Sequence, residues 1–226
     1  MKRVIKPHEV RRNELLDIAQ CLFSEKGYGA TPVSEIIEAA GIAKGTFYHY
    51  FKSKEDLLDQ LVERFTRDID ATLNRIMSDS TLNGLEKLNQ YFNEVANLKL
   101  ENKALVKMLI QIIYKPENTL LRQKMTHRAL EIIIPKLELV LEQGSSEGMF
   151  DIRDPHETAE QIMMLFSSIS ESCALIILSE KPSDSVFNKL EQKYTALETS
   201  IERILRAPER SIGIVGRDML LAFFSN

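Results

Sequence analysis

The residues of this 226-residue chain best suited to chemistry lie close together, between Gly41 and Lys54. The run is Gly41-Ile-Ala-Lys-Gly-Thr-Phe-Tyr-His-Tyr-Phe-Lys-Ser-Lys54. Read at helical spacing, Phe47 and Phe51 are four apart and share a face, which leaves Lys44, Gly45, Thr46, Tyr48 and His49 on the other. A lysine can reach the guanine edge in a major groove. Threonine and tyrosine can bond phosphate or touch a thymine methyl, and glycine lets a backbone come close. The chemistry this points to is recognition of duplex nucleic acid, not bond making. Catalytic constellations are missing from the sequence. The four histidines (His8, His49, His127, His156) form no HExxH pair, and no nucleophile elbow, phosphate-binding glycine loop or CxxC is present. The chain is expected to be no enzyme and to need no cofactor or metal.

Elements that would position such a ridge are legible on both sides of it. Leu15, Ile18, Ala19, Leu22 and Phe23 form an apolar stripe that stops at Lys26-Gly27, a basic residue before a C-cap glycine. Thr31-Pro32 offers an N-cap and a first-turn proline for a second short helix with Val33, Ile36, Ile37 and Ala40 inward, ending at Gly41. A third helix covers about 43–50. Ser53-Lys54-Glu55-Asp56 then resembles a capping box opening a long fourth helix, with Leu57, Leu58, Leu61, Phe65 and Ile69 inward. Two short helices joined at a glycine, the second bearing polar side chains outward, make a helix-turn-helix.

Helical periodicity continues to the C-terminal part, and no alternating strand pattern occurs. Breaks at 78–81, 115–117, 144–148, 181–184 and 207–208 predict helices over about 82–99, 102–114, 117–142, 155–179 and 184–206. Pro135 should kink or split the third of these. Asp154-Pro155-His156-Glu157 is a helix start, with Asp as cap and Pro at the first position. Residues 209–226 give no clear pattern. The expected fold is all-α, with a helix-turn-helix domain over 1–54 and a helical regulatory and dimerisation domain over 55–226. A fourth helix at 54–77 connects them.

Charge agrees with that division. Residues 1–54 hold nine Lys/Arg against six Asp/Glu, and the remainder holds 20 against 27, so a +3 end sits on a −7 body. Lys2, Arg3, Lys6, Arg11 and Arg12 could add a basic arm. No unbroken apolar run approaches the roughly 18 residues that span a bilayer, and the basic N-terminus (Lys2, Arg3, Lys6) has no apolar stretch behind it and does not read as a secretory signal, so no membrane is expected and a cytoplasmic location is. Cys21 and Cys173 read as small buried hydrophobes.

The stretch Gly41–Leu58, with the helices at 15–27 and 31–40 before it, resembles the recognition helix and surroundings of the TetR (tetracycline repressor) family of transcriptional regulators. The resemblance covers about residues 10–60. It implies a repressor that binds a palindromic double-stranded DNA operator as a homodimer and is released by a small-molecule effector; control by a protein partner fits the same motif. It further implies DNA contact by Lys44, Gly45, Thr46, Tyr48 and His49, and phosphate contact by Thr31, Ser34 and Lys54. The dimer would form through helices at about 120–142 and 157–179. Family members enclose small, often apolar or cationic molecules within the later helices. On that analogy Phe92, Met108, Ile112, Tyr114, Met125 and Phe166 are candidate pocket residues, with Glu94, Glu101, Gln111 and His127 as candidate polar anchors.

Overall fold

The computed structural model describes residues 7–224 of the chain, leaving aside the Glu117 side chain. Among them the regular elements are all helical, in ten α-helices. These are α1 (His8–Lys26), α2 (Val33–Ala39), α3 (Lys44–Tyr50), α4 (Lys54–Ser78), α5 (Gly84–Glu101), α6 (Lys103–Ile113), α7 (Thr119–Ser146), α8 (Pro155–Ser179), α9 (Asp184–Leu205) and α10 (Arg217–Phe224). A one-turn 3-10 helix, Pro116–Asn118, precedes α7. Lys2, Arg3 and Lys6 of the expected basic arm lie outside the described residues. Two compact units emerge, one running up to Arg67 with Ala104–Ile112 added, the other made of Asp68–Lys103 and Ile113 onward. The division falls inside α4, not at residue 54, because a single long helix supplies residues to both cores.

In the first unit the apolar stripes close on one another. Leu15, Leu16, Ala19 and Phe23 of α1, Ile36 of α2, Phe47 of α3, Phe51 and the α4 residues Leu57, Leu58 and Leu61 are all buried. Cys21, by contrast, is exposed. It lies off the stripe that Ala19 and Phe23 define, so the burial expected from its type alone does not occur.

The second unit is a helical layer around α5, α7, α8 and α9. Leu88, Tyr91 and Phe92 of α5 pack with Leu137, Val140 and Leu141 of α7, Ala159, Ile162 and Met163 of α8, and Leu197, Ile201 and Leu205 of α9. Helix α7 runs unbroken through Pro135, which is exposed. The proline therefore does not split the helix; its ring faces outward, although the backbone bond that its missing N–H would have made is lost. Asp154 caps α8 by accepting from the Glu157 amide at 3.1 Å. The unpatterned tail is pinned by side chains from other helices. Asn89 accepts from the Gly213 amide at 2.9 Å, Glu198 from Ile214 at 2.7 Å and buried Glu202 from Ile212 at 3.1 Å. Burial raises the proton affinity of Glu198 above the ordinary carboxylate value, with Glu202 adding to it and the two backbone amides opposing. Beyond this strap, α10 places Leu220 against Cys173, Val186 and Leu190.

Helix α8 is apolar enough, by length and composition, to cross a bilayer, with a mean hydropathy of 1.8 over its best window. The expectation from unbroken apolar runs missed this because serines and glutamates are interspersed. Its two sides differ in what covers them. Ala159, Ile162, Met163, Cys173 and Ala174 are buried, whereas Met164, Leu175 and Leu178 are exposed along one stripe, with Leu165 exposed at its flank.

Candidate nucleic-acid interface

The interface is built on the turn between α2 and α3. Gly41, at φ +60°, takes the left-handed conformation that lets the chain reverse between the two helices. Its amide bonds the Glu38 carbonyl at 3.0 Å and the Ile42 amide bonds that of Ile37 at 3.2 Å, which closes the end of α2. Phe47 and Phe51, both without exposed surface and 5.5 Å apart between ring centroids, fix the roll of α3 on the core. Their burial decides which residues face outward. Lys44, Gly45, Tyr48 and His49 are exposed, and Thr46 is partly buried at the edge. The Lys44 ammonium lies 6.0 Å from the Tyr48 ring centroid, so cation and phenol share one patch. Ser34, in the first turn of α2, is also exposed. Gly45 has ordinary helical geometry, and a Cβ added there would meet nothing within 4 Å. Neither folding nor packing requires glycine at this position.

Two expected phosphate ligands are placed otherwise. Thr31 has no exposed surface, and its hydroxyl donates to the Gly27 carbonyl at 2.9 Å. Pro32, not Thr31, holds the N-cap position of α2. The threonine is turned inward to close the α1–α2 loop, which takes its hydroxyl away from any phosphate. Lys54 donates to the carbonyls of Tyr28 at 2.8 Å and Thr31 at 3.1 Å, and its ammonium stands 4.3 Å from the Tyr28 ring centroid. It ties the start of α4 to the same loop. The Tyr28 phenol is pushed up to about 12 by burial, then by the nearby carboxylates of Glu55 and Asp59. Ser53 does act as a cap, accepting from the Asp56 amide at 3.1 Å, while Asp56 reaches back to the Lys52 amide at 2.6 Å.

One neighbour of the ridge escaped the sequence reading. His8, at the start of α1, sets its ring 4.6 Å from that of Tyr50 and 5.6 Å from that of His49. No local pattern could signal a contact between residues about forty positions apart. Arg11 and Arg12 pair within their own unit. Arg11 meets Glu14 at 3.1 Å, and Arg12 donates to Gln60 at 2.7 Å. They brace α1 more than they form a free arm.

The candidate pocket residues divide between the two units. Met108 and Ile112, both buried, belong to the first. Phe92, Tyr114, Met125 and Phe166 belong to the second, where Phe92 and Phe166 stack with centroids 6.1 Å apart. Of the candidate anchors, Glu94 pairs with Arg75 at 3.2 Å and His127 with Glu131 at 3.3 Å on an exposed face.

Comparison with known proteins agrees with this geometry. Residues 15–61 match the family model of bacterial regulatory proteins of the tetR family. The chain is 42% identical to the HTH-type transcriptional repressor KstR2 of Mycobacterium tuberculosis over 92 residues, which is 41% of this chain and 46% of the relative. The chain thus spans about half the length or less of such curated relatives. It is 28% identical to the fatty acid metabolism regulator protein of Bacillus subtilis over 174 residues, 76% of this chain and 87% of the other. The fold is shared with the solved structure of a TetR-family transcriptional regulator from Pectobacterium atrosepticum, with a TM-score of 0.65 at 20% identity, covering 90% of this chain and all of that one. These relatives are regulators, not enzymes. A turn glycine, a core-facing aromatic pair and an outward polar ridge coincide with the matched segment, and over residues 15–61 the chain is similar to the tetR family of bacterial regulatory proteins.

Proposed function

We propose that the chain is a transcriptional repressor that binds a roughly palindromic operator as a homodimer and is released by a small-molecule effector. The observation that carries the DNA-binding part is the exposed face of α3, on which Lys44, Gly45, Tyr48 and His49 stand clear while Phe47 anchors the helix beneath. Two such helices would enter successive major grooves about one helical turn apart. The residues assigned to base and backbone contact are Lys44, Gly45, Thr46, Tyr48 and His49, with Ser34 on phosphate.

A dimer is supported by the stripe on α8, where Met164, Leu175 and Leu178 are exposed, together with Leu139 of α7. Contiguous apolar surface of this kind marks a covered face. A second copy satisfies it by two-fold symmetry, which the pairing of recognition helices also needs. The dimer surface is assigned to about 120–142 and 157–179. The effector would act in the second unit and reach the DNA-binding part through α4, which contributes to both cores. It can do so only by binding the released state more tightly. The name of the Bacillus subtilis relative supports target genes of fatty acid metabolism. A cytoplasmic location follows from this reading.

Operator selection with purified full-length chain tests the proposal. The expected outcome is enrichment of a two-fold symmetric duplex with half-sites about one turn apart. Enrichment of no sequence, or of a single half-site bound by a monomer, would count against it. A chain that is monomeric alone, yet dimeric or DNA-competent only with another protein, would favour control by a protein partner.

A further inference from the structure

We propose that Lys99 anchors an effector site for an amphipathic anion, an apolar chain or ring bearing one carboxylate, seated against Phe166 in the second unit. The proposal rests on the reading that a small molecule controls this chain, and it names that molecule's chemical class. Lys99 is a partly buried residue of α5, and its ammonium lies 5.5 Å from the centroid of Phe166 on α8. That ring is stacked on Phe92, 6.1 Å away and within 6° of parallel. Among the described residues no carboxylate pairs with Lys99. Glu94 of its own helix pairs with Arg75, and Glu171 of α8 with Arg122 at 3.3 Å. Arg122 in turn covers Tyr114, 5.3 Å from its centroid. The Cys173 thiol also lies within electrostatic reach of Lys99, and it shares its surroundings with the Tyr194 hydroxyl and a second cation, Lys193.

A cation withdrawn from water without a counter-ion is costly, and an aromatic face compensates it only in part. Burial accordingly lowers the proton affinity of Lys99 below the ordinary value for an amine. A carboxylate brought by a ligand would restore the missing partner, while the partly exposed Phe166 ring, backed by buried Phe92, receives the apolar body. The same ligand would touch both α5 and α8, so its binding would be felt across the helical layer. A cationic effector is disfavoured by the same geometry, since it would meet a like charge.

Calorimetric titration of the full-length protein with octanoate and dodecanoate, against 1-octanol and 1-dodecanol of equal chain length, tests this. One charge-assisted contact should make a carboxylate bind at least about ten-fold more tightly than the matched alcohol. Lys99→Met should abolish that preference and Lys99→Arg should keep most of it. Lys99→Met should also melt no lower than wild type, because it removes an uncompensated charge. Equal binding of acid and alcohol, binding of neither, a preference that survives Lys99→Met, or a lowered melting temperature in that variant would overturn the assignment. Operator binding by unliganded Lys99→Met, measured in parallel, separates the two readings. It should equal wild type, and absence of operator binding by wild type itself would defeat the repressor reading while leaving the carboxylate preference to stand or fall alone.

Discussion

At the scale of single residues, two lysines of similar sequence context have opposite environments. Lys44 is exposed beside Tyr48, whereas Lys54 is held by two backbone carbonyls and the Tyr28 ring. Lys44→Ala should leave the melting temperature unchanged and relax base preference, at about 1–3 kcal/mol for one operator position, in competition binding with point-mutated duplexes. Lys54→Ala should instead cost about 1–3 kcal/mol of folding stability in urea, since two charge-assisted bonds are lost. If Lys44→Ala melted early and Lys54→Ala did not, these roles would be exchanged. Gly45 gives a cleaner separation of folding from recognition. With open space around its Cα and ordinary helical φ, Gly45→Ala should raise helix stability by up to about 1 kcal/mol. The same change should weaken duplex binding if the backbone approaches DNA there. Unaltered binding would remove Gly45 from the interface. The sequence revealed this site because Phe47 and Phe51 are four apart and the polar set falls on the other side. It could not show that Thr31 and Lys54, expected on phosphate from residue type, are bonded to carbonyls of a loop whose path only the tertiary structure fixes.

At the scale of elements, α1 to α9 follow from periodicity and caps, with boundaries within a few residues of those expected, whereas α10 falls in the stretch without a clear pattern. What periodicity could not supply was long-range contact. The strap at 211–214 is ordered by Asn89, Glu198 and Glu202, residues on α5 and α9, so no local pattern marks it. The crossing of α5 over α7 is similar. Gly84 meets Gly144 so closely that a Cβ on Gly84 would lie 2.4 Å from the Gly144 Cα, and one on Gly144 would lie 2.2 Å from the Phe150 ring. In sequence Gly144 reads only as a loop glycine, yet it lies within α7. Gly144→Ala must push the buried Phe150 ring aside, and overpacking of this kind costs about 1–3 kcal/mol. Chemical denaturation should show that loss, with secondary structure by circular dichroism retained. A variant as stable as wild type would mean that the Phe150 ring relaxes freely.

At the scale of the whole molecule, the account requires two copies. The α8 stripe is the surface most in need of cover, and a charge placed at its centre should prevent pairing by leaving that charge buried and unpaired. Leu175→Glu should give a folded monomer by analytical ultracentrifugation, with duplex affinity reduced at least about ten-fold because only one half-site can be held at a time. A Leu175→Glu dimer would move the interface elsewhere. The most direct test of the central claim, that the outward face of α3 docks on duplex DNA, is fluorescence anisotropy of purified protein with its own promoter duplex over a range of salt. The account predicts tight binding whose logarithm falls linearly with the logarithm of salt, with a slope about one unit shallower in any variant that removes a phosphate contact. No salt-sensitive binding to any duplex, under conditions where the chain is folded and dimeric, would contradict it.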